Sequence, residues 1–190
     1  MTTKGTPRSA KNAGQEQAQN LEEENVTNKI PLDDLIPVMS LLDYPLNLLN
    51  QSNGKAKHRF EKFGQKKEIL YQDILQIIEN YQTFMEFGYF IILDKRVIAR
   101  HGLQELQSRI LTKEKMEKIL DGSIDAFALY KECQPEQQRV IVGMLTRKVI
   151  ENPESVNMNI VDQISRYSKI NILQNAEDTK ELFKETETVS

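Results

Sequence analysis

At Gln72 the spacing of apolar residues changes from two to about 3.6, and this switch constrains the fold more than any other feature of the chain. Before it, short alternating runs are divided by Pro, Gly and Asn. After it, aliphatic residues recur every three or four positions. A chain written this way belongs to the α+β class: a small antiparallel sheet or hairpin module with one packed helix, followed by an all-helical C-terminal part.

The strand text starts near Ile30. Pro31 and Pro37 make Pro31 to Ile36 an extended lead-in with a helical turn, and Val38 to Leu42 reads as the first strand. Asp43-Tyr44-Pro45 interrupts it and Leu46-Asn47-Leu48 resumes the alternation. Pro45 offers no N–H to a ladder, which predicts a bulge or a sheet edge. Asn53-Gly54 is a strong hairpin signal because both turn positions accept positive φ. The returning strand, Lys57 to Phe63, sends Lys57, Arg59, Glu61 and Phe63 to one face and His58, Phe60 and Lys62 to the other. Gly64-Gln65 then turns into Glu68 to Tyr71, completing a meander.

The helical text follows. Ile74, Leu75, Ile77, Ile78, Tyr81, Phe84 and Met85 form one stripe, with Asp73 placed to favour the macrodipole and Gly88 as the stop. Tyr89 to Leu93 is apolar throughout, the pattern of a strand buried on both faces, and Asp94-Lys95-Arg96 turns it into Val97-Ile98. Beyond Gly102, helices are predicted over Leu103–Ile110, after caps at Thr112, Ser123 and Asn159, and from Pro135 to Asn152-Pro153. The third of these carries Ile124, Phe127, Ala128 and Leu129 as its apolar residues. The expected organisation is a disordered tail over 1–29, an α+β module over 30–102, a helical part over 103–173 and a polar tail over 174–190, where the text frays.

Charge and composition exclude several classes. The 25 Lys and Arg stand against 28 Asp and Glu, so a global polycation that coats nucleic acid is excluded. Cys133 is the single cysteine, which leaves no internal disulfide and no cysteine zinc site. No run approaches the ~20 apolar residues of a membrane span. The N-terminal text lacks the apolar core of a secretory signal, so a reducing cytoplasm is the expected location and no membrane partner is expected.

Groups able to do covalent chemistry are few. His58 and His101 belong to no metal-ligand spacing, and Walker A, GxGxxG and GxSxG motifs are absent. Asp94 reads as a turn aspartate bonding its own backbone, and Cys133 as a small filler. The chain is therefore expected not to be an enzyme, with no catalytic residue, no metal and no cofactor. An enzyme would need a pocket in which His58 or His101 meets a carboxylate.

The feature that implies a partner is the hairpin. From Gly54 to Lys67 there are six basic residues, Lys55, Lys57, Arg59, Lys62, Lys66 and Lys67, against Glu61 alone. Phe60 and Phe63 interleave with them, and Lys95, Arg96 and Arg100 would extend the patch. Such a ribbon is able to contact phosphates and stack bases. A Lys-rich strand edge is also how sheets resist edge-to-edge aggregation, with both Phe in the core.

At Val38-Met39-Ser40-Leu41, Phe60-Glu61-Lys62-Phe63-Gly64, Ile69-Leu70-Tyr71-Gln72-Asp73-Ile74 and Gly88-Tyr89-Phe90-Ile91-Ile92-Leu93-Asp94, the text resembles a type of small uncharacterised protein encoded by tailed bacteriophages of low-GC Gram-positive hosts. The resemblance covers about residues 36–110. It implies a phage origin, a location in the host cytoplasm or the virion and a place among virion or assembly proteins, and it supplies no catalytic residues. The expected function is then non-enzymatic, through a protein partner or self-assembly. The alternative is a nucleic-acid-binding regulator or host-takeover factor using the hairpin 54–67.

Overall fold

Strand β1 (Leu35–Ser40) starts earlier than its alternation announces and runs through Pro37. It follows a turn in which Asp34 N–H donates to the Pro31 carbonyl at 3.2 Å. A computed structural model describes residues 29–49 and 56–188, with side chains for 29–49 and 58–182. The tail expected over 1–29, apart from Lys29, lies outside the described residues, as does the Asn53-Gly54 turn.

β1 is the central strand. It pairs antiparallel with β4 (Lys66–Leu70) on one side and with β5 (Phe90–Ile92) on the other. Pro37 is tolerated there for a positional reason. Its carbonyl faces β5 and accepts the Leu93 N–H at 2.9 Å, so its missing N–H also faces that side. Leu93 is the residue just past the end of β5, where no further ladder bond is required.

The strands between do not form the predicted meander. β2 (Leu46–Leu49) and β3 (Ala56–Phe60) make a separate two-stranded sheet, with a bulge between Leu48 and Leu49, and β4 returns to β1. The cause lies in residues 41–45: Leu41 and Leu42 are buried but leave the strand, and Pro45 reopens the backbone as a new one. The hairpin pairing itself is as predicted, with Leu46 opposite Phe60 and Leu48 opposite His58.

Two further expectations fail around β5. This strand lies at an edge; Phe90 and Ile92 face the core while Ile91 is half-buried. Its open side is closed by a side chain. With the Gln107 amide nitrogen facing the Ile92 carbonyl, Gln107 donates to Ile92 O and accepts from Ile92 N–H, both at 3.1 Å. After it, Val97-Ile98 is helical. Asp94 caps α3 (Lys95–Arg100) by accepting from the N–H groups of Arg96 and Val97, so the aspartate does bond its own backbone, as an N-cap.

The stripe after Gln72 is divided into α1 (Tyr71–Asn80) and α2 (Gln82–Glu86), because Tyr81, at φ −121°, leaves the helical region. Leu75, predicted inward, is exposed, while Asp73 is buried. Gly88 ends the pair as predicted. At φ +71° it donates to Met85 O, and Tyr89 N–H reaches back to Phe84 O, the two bonds of a Schellman cap.

The helical part holds α4 (Gln104–Ser108), α5 (Lys113–Leu120), α6 (Ala126–Glu132), α7 (Pro135–Glu151), α8 (Met158–Ser168) and α9 (Ile172–Thr188). Thr112 and Pro135 stand where predicted. The caps of α6 and α8 are Asp125 and Asn157 rather than Ser123 and Asn159, each displaced by two residues. Ile124, read as an apolar residue of α6, lies before its first turn and is fully exposed at 106% of its reference area. The text from 174, expected to fray, continues as α9, held through buried Ile172 and Ala176.

One hydrophobic cluster unites the module and the helices. It runs from Ile36, Val38, Ile69 and Phe90 to Met116, Ile141, Leu145 and Ile164. Gln137, itself buried, ties α7 to the turn before α5: its Oε1 accepts Leu111 N–H at 2.9 Å and its Nε2 donates to Leu111 O at 3.2 Å. Among the described residues no helix is long and apolar enough to cross a membrane.

Candidate functional site

Two surfaces carry groups that a partner could meet: the basic hairpin with the turn that follows it, and an aromatic ridge on the helical part. On the first, Lys55 lies outside the described residues, and Lys57 is placed in β3 by its backbone alone. Arg59 pairs with Glu61 at 2.6 Å, both side chains being about half-exposed. Lys62 is exposed just before Gly64, whose φ of +71° and N–H bond to Ser40 O at 2.9 Å turn the chain into β4. Lys66 is exposed on β4. Lys67 is half-buried, its Nζ 5.9 Å from the Phe60 ring centroid.

The aromatic residues do not present faces to stack bases. Phe60 is fully buried beneath the hairpin, and Phe63 lies under the Lys113 ammonium, 5.9 Å from its ring. Lys113 also crosses Gly64 so closely that a Cβ there would run into it. The hairpin's outgoing turn is therefore seated on the start of α5. Glu114 sits there with its carboxyl held below the ordinary range, first by its own backbone N–H and the Thr112 hydroxyl, then by Lys113 and Lys66. The predicted extension is not continuous with this surface. Lys95, Arg96 and Arg100 leave from the opposite edge of the sheet, and Arg96 is clamped between Asp94 at 2.7 Å and Asp34 at 2.9 Å.

The hairpin is held to the body by polar links that the sequence reading missed. His58 Nε2 lies 3.2 Å from Asp73 Oδ2, with both side chains largely buried, and Leu49 N–H donates to the Tyr81 hydroxyl at 2.7 Å. A signal for the first existed. Asp73 stands four residues before Ile77 on the apolar stripe, and His58 alternates with inward Phe60. A carboxylate on a buried face requires a partner.

An imidazole does therefore meet a carboxylate, at a junction between β3 and α1. A shallow open cavity of about 410 Å³ lies elsewhere, lined by Glu86, Gly102, Glu105, Leu106, Arg109 and Gln134. His101 Nε2 is 2.9 Å from the Tyr71 hydroxyl, and burial, then Arg100, lowers its pKa. Burial pushes the Cys133 thiol up to about 12, and its Sγ faces the Leu129 carbonyl at 3.4 Å. Asp94 is held low by its hydrogen bond to Arg96. Among the described residues no group of three or more His, Cys, Asp or Glu is placed to hold a metal ion.

The second surface is apolar. Tyr167 of α8, 48% exposed, meets Phe127 and Tyr130 of α6 edge-on, each at 5.9 Å between ring centroids. Lys131 Nζ lies 5.0 Å over the Phe127 ring. Burial raises the Tyr130 hydroxyl to about 12, marking it as the inner member of the stack. Ile124 projects from the turn that opens α6, three residues before Phe127. The turn that ends α5 is joined to the start of α8 by Asn157, which caps α8 and donates to the Gly122 carbonyl at 3.2 Å. The chain matches no family model, no curated protein and no solved structure.

Proposed function

We propose that this chain is a non-enzymatic protein acting through protein–protein contacts, as a virion structural component or an assembly factor of a tailed phage. The observation that carries the contact reading is Ile124, a fully exposed aliphatic side chain on the turn between α5 and α6, three residues before Phe127 of the Phe127–Tyr167 pair. Burying such a side chain against a partner is worth about 2 kcal/mol, and large apolar groups at the centre of a contact supply most of its affinity. The non-enzymatic reading is supported by the use each reactive group is put to. His58, His101, Asp94 and Cys133 all bond to elements of the fold. The phage setting rests on the resemblance over residues 36–110.

Mass spectrometry of purified phage particles tests the virion role, and crosslinking of the full chain in infected cells tests the assembly role. Crosslinks to one phage protein that vanish in Ile124→Asp, with the far-UV spectrum and Tm unchanged, are the expected outcome. Identical crosslinks in the variant would remove Ile124 from the contact.

A second reading, nucleic-acid contact through the hairpin, is favoured by the exposed Lys62 and Lys66 on the turn that meets Lys113. It expects a phosphate-only mode, without base stacking, because Phe60 is buried. Binding to duplex DNA should fall steeply with salt and be lost in Lys62→Glu/Lys66→Glu. A gel shift insensitive to both would dismiss it.

A further inference from the structure

We draw no further inference here: the strongest candidate, the exposed apolar ridge of Ile124, Phe127 and Tyr167 across α6 and α8, belongs to the surface already described, and nothing in the structure shows what covers it.

Discussion

The α+β module and the helical part solve the same backbone problem by different means. Strands β2 to β5 have three to five residues each, so their open edges leave N–H and C=O groups without a ladder partner. Side chains stand in for the missing strand: the Gln107 amide pairs both polar groups of Ile92, and the Tyr81 hydroxyl takes the Leu49 N–H. The helices close their own hydrogen bonds internally and need help only at their ends. The module therefore uses specific polar side chains to close strand edges, whereas the helical part places them at its turns, where Gln137 holds Leu111 and Asn157 holds Gly122.

The largest test concerns whether the two regions are energetically one. Phe90→Ala empties a fully buried site in β5 and should cost about 3–5 kcal/mol. Because one core joins both regions, urea unfolding followed by near-UV and far-UV signals should shift as a single transition. Two separated transitions, with only the first moved, would break the comparison into two independent domains.

Next in size is a polar clamp inside the helical part. Gln137→Leu leaves the Leu111 N–H and carbonyl without their partner in a buried place, a loss of about 1–3 kcal/mol. Hydrogen exchange should speed up at Leu111 and in the first turn of α7. An unchanged Leu111 exchange rate would mean that apolar packing alone holds the turn before α5 against α7.

A smaller effect sharpens the side-chain-for-strand argument. Tyr81→Phe keeps the ring packed on Phe84, at 5.3 Å between centroids, and removes only the acceptor for Leu49 N–H. The expected cost is about 0.5–1.5 kcal/mol, with faster exchange confined to β2 and β3. Ile124→Asp, on the helical side, should stay within about 0.5 kcal/mol of the parent.

The smallest effect is one of pH. Burial lowers the His101 pKa, so the folded state favours the neutral imidazole near the Tyr71 hydroxyl while the unfolded chain titrates at its ordinary 6.5. The unfolded state then binds more protons just below that value. This stabilisation is complete above pH 6.5 and is lost as the pH falls through 6.5 toward the folded value. Comparing denaturation midpoints at pH 7.5 and 5.5, His101→Gln should lose less stability than the parent. Equal losses would place the acid sensitivity elsewhere.

The stop at Gly88, the start of α7 at Pro135 and the hairpin pairing of β2 with β3 were all legible in the residues. Each depends on local chemistry: a left-handed φ, a proline at the first helical turn, a period of two on either side of Asn53-Gly54. The apolar run Tyr89 to Leu93 was not decidable in this way. A short apolar strand reads the same at the centre of a sheet as at an edge covered by a side chain, and Gln107 lies 15 residues beyond Ile92. Leu75 was misplaced for a related reason, since period alone does not say how wide the buried arc of a helix is.

By itself, then, the amino-acid sequence determined which segments become strands or helices over most of the chain, because φ preference and apolar period act over a few residues. Only the tertiary structure decided which strand is central, which polar side chains close the open edges, and that Asp73 meets His58 in a buried junction. Those outcomes depend on groups far apart in the chain arriving at the same place, and no local spacing encodes that arrival.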